Sequence, residues 1–217
     1  MMDPNPNLHP LKLAAIVYRP DDDVDSLLAG FASDLICQGN RVGGIVQKNT
    51  KRECGARELM EVVDLMTGAS IRICQSLGSG AAACKLDPAG LAEAATAVSR
   101  AVAANLDLII VNKFSKQEAA GAGLRTEIAD AVMAGRPLLT AVPDKCYDAW
   151  TNFTGSFGTT LVCERRIVED WWREMSLREK RARIFAHFEK TSVTAAGACL
   201  VGGLPFRAGS LADHHVG

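Results

Sequence analysis

Residues 106–142, LDLIIVNKFSKQEAAGAGLRTEIADAVMAGRPLLTAV, decide the fold because they contain a strand, a polar loop, a helix and the start of another strand. Residues 108–111 are consecutively apolar, as in a strand that is buried on both faces of a parallel sheet. Leu124, Ile128 and Val132 lie on one face of the helix, which Gly135 and Pro137 end. This order of elements predicts an α/β fold.

The flanking sequence extends the same pattern. Apolar periodicity and turn residues predict, in order, strand 11–18, helix 24–38, strand 41–47, a hairpin of strands 59–65 and 70–74, helix 88–105, a helical turn at 147–153, strand 159–163, helix 165–175 and a further helix capped by Ser176. Residues 78–85 form a Gly/Ala-rich connector whose amides are an alternative anion contact. Together these elements predict a three-layer, doubly wound, mostly parallel sheet with an inserted β-hairpin and a C-terminal helical segment.

We expect three segments along the chain. Residues 1–10 are a flexible lead-in, residues 11–175 are the α/β domain, and residues 176–217 are a C-terminal helix with an Ala/Gly-rich tail. A formal charge of −1 and a pI near 6.4 exclude a general attraction to nucleic acid or to anionic lipid. Scattered cysteines without a C-x-x-C pair, and no signal or membrane-length apolar run, predict a soluble cytoplasmic protein.

The polar loop after strand 108–111 is the expected site. Ligands of open α/β sheets bind outside the carboxyl ends of the strands, where Asn112, Lys113, Ser115 and Lys116 lie. Lysine ammonium groups form charge-assisted hydrogen bonds with anions, and the amide and hydroxyl groups orient them. We expect Glu118 to pair with one of the two lysines. The alternative is an exposed loop with weak ion pairs.

The first strand-to-helix turn, RPDDDVDS at residues 19–26, differs from a phosphate-binding loop. That loop has the pattern G-x-x-x-x-G-K-[ST], and its amides and lysine hold phosphates. Here there is neither the glycine nor the lysine. Aspartates at the start of a helix stabilise its N-terminus, and this is the first interpretation. The alternative is a metal site formed by Asp21, Asp22, Asp23 and Asp25.

A family resemblance rests on matching strings, of which the most specific is DLIIVNKFSKQEA at residues 107–119. Other matches are Tyr18, LLA at 27–29, RVGGIVQ at 41–47 and DLMTG at 64–68. Over about residues 12–172 the chain resembles P-loop nucleoside triphosphatases and, more closely, the bacterial domain of unknown function 2478 family. In the triphosphatases an Asp-Glu pair binds magnesium and activates water where this chain has Asn112 and Lys113. The resemblance therefore implies a P-loop-like fold with a degraded phosphate-binding loop.

We expect a small-ligand binding protein that has lost the usual triphosphatase motifs and retains a nucleotide or oxyanion site. The predicted ligand-binding residues are Asn112, Lys113, Ser115, Lys116 and Arg125, with the backbone near Tyr18 and Arg19. One alternative is a divergent triphosphatase in which the first-turn aspartates hold Mg²⁺ with a nucleotide. Another follows from the resemblance, which implies an association with molybdenum uptake or cofactor genes and hence a protein partner in that pathway. A homo-oligomer is compatible with each.

Overall fold

The structure is a computed structural model and describes residues 9–50, 59–75 and 85–198. The chain divides into two compact units, Met1–Met175 and Ser176–Gly217. The elements are β1 (Leu13–Tyr18), α1 (Val24–Cys37), β2 (Val42–Thr50), β3 (Leu59–Asp64), β4 (Ser70–Arg72), β5 (Cys74–Gln75), β6 (Lys85–Leu86), α2 (Pro88–Ala103), β7 (Leu108–Val111), α3 (Lys116–Ala119), α4 (Arg125–Met133), β8 (Leu138–Pro143), α5 (Tyr147–Thr154), β9 (Thr159–Val162) and α6 (Arg165–Ala198).

One sheet carries most of these strands, in the order β4-β3-β2-β7-β8-β1-β9. Strands β2, β7, β8, β1 and β9 are parallel, and β3 and β4 add an antiparallel hairpin at one edge. Ile16 in the middle of β1 lies opposite Ala141 of β8 and Leu161 of β9. The prediction of a mostly parallel sheet with an inserted hairpin is therefore confirmed.

Two apolar layers cover the two faces of this sheet. Ile109 and Val111 of β7 point into a core formed with α2, α4 and α5. Leu108 and Ile110 point to the opposite core, which contains residues of α1 and of α6 up to Met175. All four β7 side chains are buried, as alternation in a strand covered on both faces requires. This arrangement confirms the predicted three layers.

Some local predictions were wrong or fall outside the described residues. Helix α6 continues through Ser176, so the predicted separate helix start at that residue was wrong. The reason is that residues 165–196 contain neither Gly nor Pro and are rich in strong helix formers. A second, two-stranded sheet of β5 and β6 was not predicted. The Gly/Ala-rich connector, most of the lead-in and the end of the tail lie largely outside the described residues.

No helix in the described ranges combines the length and the apolar character that a membrane crossing requires.

Candidate functional site

The carboxyl ends of β1, β7 and β8 lie side by side at one end of the sheet and border a cleft of about 630 Å³, which we call the strand-end cleft. Residues of β2, β3 and α2 form its other walls. The side chains of Tyr18, Asn112, Lys113, Ser115 and Lys116 line it. The structure thus brings these predicted site residues together. They follow neighbouring strands of a parallel sheet, and the ends of such strands lie side by side.

Asn112 is the first residue after β7 and is only 3% exposed. Its backbone N–H donates to the Ile45 carbonyl at 3.2 Å, and its side-chain Nδ2 donates to Asp25 Oδ1 at 2.8 Å. The side-chain Oδ1 is buried and has no hydrogen-bond partner. The peptide bond between Asn112 and Lys113 is cis. Asn112 therefore ties the end of β7 to β2 and to the first turn of α1.

Lys113 lies between this cleft and the first βα turn. Its Nζ is 3.0 Å from Asp25 Oδ1 and 5.1 Å from the centre of the Tyr18 ring. The Lys113 and Asp25 side chains are 18% and 15% exposed, so water is largely excluded from the pair. Burial raises the pKa of Tyr18, although the charge of Lys113 acts in the opposite direction. The Lys113 charge is therefore turned toward the first βα turn.

The loop of Ser115 and Lys116 is closed by a capping box at the start of α3. Ser115 Oγ accepts from the Lys116 backbone N–H at 2.6 Å. Glu118 Oε2 accepts from the Ser115 N–H at 2.8 Å, and Oε1 accepts from the Leu124 N–H at 3.0 Å. The prediction that Glu118 pairs with a lysine was wrong, because backbone donors take both of its oxygens. Lys116 is exposed on this short helix.

Phe114, in the same loop, is buried in an aromatic cluster. It is fully buried, and its ring centre lies 5.1 Å from that of Trp150 and 5.4 Å from that of Phe153. Of the three aromatic residues spaced three apart, Tyr147, Trp150 and Phe153, the last two therefore pack against Phe114. Tyr147 is 37% exposed. Lys113 and Ser115 flank Phe114 in the sequence and line the strand-end cleft, so the aromatic cluster fixes the loop that carries them.

The two arginines predicted at the site lie elsewhere. Arg125 Nη1 donates to the backbone carbonyl of Glu118 at 2.9 Å, and its guanidinium lies 4.2 Å from the Phe153 ring centre. Arg19 donates its backbone N–H to Asp22 at 2.7 Å and lines a separate groove that contains Cys163. Neither lines the strand-end cleft. Arg19 directly follows β1, whose next strand on that side is β9, and this sheet order was not readable from spacing.

The first-turn aspartates have different partners. Asp23 accepts from the Ser26 N–H at 3.1 Å as the N-cap of α1, and Asp25 contacts Lys113 and Asn112. With Asp21 and Asp22 they line a second cleft of about 1260 Å³, the first-turn cleft. Within residues 9–50, 59–75 and 85–198, no three or more His, Cys, Asp or Glu side chains are arranged to hold a metal ion. The helix-cap interpretation fits Asp23, and the magnesium site stays a prediction.

Sequence reasoning missed several polar residues of the strand-end cleft, among them Lys145 and Gln47. Lys145 follows β8, so the rule that ligands bind at the carboxyl ends of strands was enough to find it. Gln47 lies on β2, and its place at the cleft depends on the pairing of β2 with β7. A third lysine therefore joins Lys113 and Lys116 around the same space.

Comparison with known proteins gives three results. Residues 13–171 match the family described as "Protein of unknown function (DUF2478)". The chain is 60% identical over 176 residues to the "Molybdenum import ATP-binding protein ModC 2" of Bradyrhizobium diazoefficiens. That match covers 81% of this chain and 20% of the relative, so the chain spans about a fifth of the relative's length. The solution structure of a human cancer-related nucleoside triphosphatase is similar with a TM-score of 0.49 and 14% identity, covering 69% of this chain and 86% of that one. Because residues 13–171 make up most of its 217 residues, the chain belongs to the DUF2478 family.

Proposed function

We propose that this chain is a P-loop-derived domain that binds a small oxyanion, with molybdate as the first candidate, in the strand-end cleft. The observation that carries the proposal is that Lys113, Lys116 and Lys145 line one cleft together with Asn112 and Ser115. Ammonium, amide and hydroxyl groups are the donors that a tetrahedral oxyanion requires. With a net charge of only −1, the chain attracts anions through such a local cluster.

Two carboxylates that line this cleft are engaged by backbone N–H groups, while Asp25 pairs with Lys113 from the first-turn cleft. Glu118 accepts hydrogen bonds from two backbone N–H groups and is 6% exposed. Asp144 accepts from the Lys145 backbone N–H at 2.6 Å. Both therefore hold the loops that carry the lysines. A bound oxyanion would meet the ammonium groups at the mouth of the cleft, where Lys116 is exposed.

An oxyanion fits this chain better than a nucleoside triphosphate. The first turn carries Asp21, Asp22, Asp23 and Asp25 where a phosphate-binding loop needs glycine and lysine. Their charge would repel a triphosphate placed at the start of α1. The relative of 60% identity is named a molybdenum import ATP-binding protein, and the match covers 20% of it. These observations support a domain that has lost triphosphatase chemistry and acts as an accessory of molybdenum uptake.

Isothermal titration calorimetry at low ionic strength tests the proposal with molybdate, tungstate, sulfate, phosphate and ATP. We expect heat of binding with the oxyanions, and about fivefold to twentyfold weaker binding after Lys116→Ala or Lys145→Ala, since each removes a charged donor. Lys180→Ala is the matched control, because it removes an exposed lysine of the C-terminal unit. Binding of ATP with release of phosphate, or no binding of any oxyanion at millimolar concentration, would refute the proposal.

A further inference from the structure

One oxygen atom of Asp25 contacts two donors of the proposed site. Asp25 Oδ1 accepts from Asn112 Nδ2 at 2.8 Å and lies 3.0 Å from Lys113 Nζ. An amide N–H and an ammonium group converging on one anionic oxygen is the arrangement that an oxyanion would use. From the first-turn cleft, the Asp25 carboxylate therefore makes contacts of the kind that a ligand oxygen would make.

The surroundings make this internal contact strong. Both charged side chains are less than a fifth exposed, so solvent and salt weaken their attraction less than at an open surface. Tyr18 lies against Lys113 with its ring, which restricts the ammonium group on a further side. Asp25 belongs to the first turn of α1, where the helix dipole favours a negative charge.

Lys113 borders both clefts. It lines the first-turn cleft, where Asp25 lies, and also the strand-end cleft, where Lys116 and Ser115 lie. Asp25 lines only the first of these. A ligand in the strand-end cleft therefore competes with Asp25 for the charge of Lys113, although the ammonium group has three N–H donors and the Asn112 amide two.

We propose that Asp25 is an internal competitor of the ligand and sets the affinity of the site for anions. The inference rests on the proposed oxyanion function. Every oxyanion that draws the Lys113 ammonium group into the strand-end cleft weakens the same ion pair with Asp25. That cost is common to all of them, so Asp25 lowers the affinity for molybdate and for sulfate by a similar factor.

Asp25→Asn tests this inference by removing the charge while keeping the size of the side chain. Calorimetric titration of the full chain with molybdate and with sulfate is expected to show about fivefold to tenfold tighter binding of both anions, as loss of one ion pair implies. Asp25→Glu keeps the competing carboxylate and is expected to bind with nearly wild-type affinity. Asp130→Asn, an exposed carboxylate on α4, controls for the change in net charge.

A second measurement does not depend on how well a variant folds. In wild-type protein labelled with ¹⁵N, addition of molybdate is expected to shift the Asn112 side-chain amide resonance, because its acceptor changes. If wild type binds molybdate, Asp25→Asn binds it no more tightly and the Asn112 amide stays in place, the inference is overturned and the proposed function survives. If wild type, Asp25→Asn and Asp25→Glu all fail to bind any oxyanion, the proposed function itself fails. Binding by Asp25→Asn but not by wild type supports the competition by Asp25 and refutes oxyanion binding by the wild-type chain.

Discussion

Replacement of Glu118 by glutamine is the sharpest test of how the loop of the candidate site is held. The carboxylate is 6% exposed and accepts from the backbone N–H groups of Ser115 at 2.8 Å and Leu124 at 3.0 Å. Glutamine keeps one acceptor oxygen and turns an NH₂ group toward the other N–H. A buried donor without an acceptor then faces another donor.

The magnitude follows from these contacts. A hydrogen bond to a charged group contributes about 1.5–3 kcal/mol, and a buried unsatisfied donor costs about 1–3 kcal/mol. We expect Glu118→Gln to lower the free energy of unfolding by about 2–3 kcal/mol. For a domain of this size that corresponds to a fall in Tm of about 5–10 °C.

Urea denaturation and thermal melting followed by circular dichroism measure both quantities. Glu93→Gln is the matched control, because Glu93 is exposed on α2 and its replacement is expected to change stability by less than about 0.5 kcal/mol. A Glu118→Gln variant that melts within about 2 °C of wild type would refute the reasoning from the two backbone hydrogen bonds. The same variant is expected to bind molybdate more weakly, since the loop of Ser115 and Lys116 loses its closure.

Three further predictions concern the sheet and its surroundings. Gly44→Ala is expected to prevent folding, seen as loss of soluble protein, because Gly44 has a φ of +96° and a Cβ there would clash with the Ile110 carbonyl oxygen. Gly39 has a φ of +83° and open space around it, so Gly39→Ala is expected to lower the free energy of unfolding by only about 1–2 kcal/mol. Asp64→Asn is expected to cost about 2–3 kcal/mol in urea denaturation, because its buried carboxylate accepts from the Met66 N–H, the Thr67 hydroxyl and Arg100. Burial, and to a smaller extent the charges of Asp22 and Asp23, raise the pKa of Cys163 to about 11. Alkylation of Cys163 at pH 8 is therefore expected to be at least about tenfold slower than that of N-acetylcysteine, and to accelerate toward pH 11. Equal alkylation rates, measured by mass spectrometry, would contradict this.

Local signals carried most of the secondary structure. The predicted strand at 108–111 coincides with β7, because four apolar residues between polar ones leave few alternatives. Asp87 and Pro88 mark the start of α2, and the side chain of Asp87, its N-cap, accepts from the Ala89 N–H. The continuity of α6 through Ser176 was missed, because a serine that suits a cap is also tolerated inside a long helix.

The candidate site was predictable in position but not in its pairing. A polar loop after a buried strand places Asn112, Lys113 and Ser115 near a sheet edge, and the structure has them there. The predicted lysine partner of Glu118 was wrong, because the carboxylate accepts from the backbone N–H groups of Ser115 and Leu124 instead. Arg125 contacts the Glu118 carbonyl and the Phe153 ring, and the second contact depends on the packing of α5.

The amino-acid sequence by itself determined the order of strands and helices, the inserted hairpin and the place of the polar loop, because apolar period, caps and turn residues act over a few neighbouring positions. Only the tertiary structure decided that β8 lies between β7 and β1. It also decided that Asn112 and Lys113 contact Asp25, although Asn112 is 87 residues away from Asp25 along the chain. The strength of a charged contact depends on the distance and burial of its atoms. Both quantities are set when distant segments pack together, so the pairing of Lys113 with Asp25 is a property of the fold.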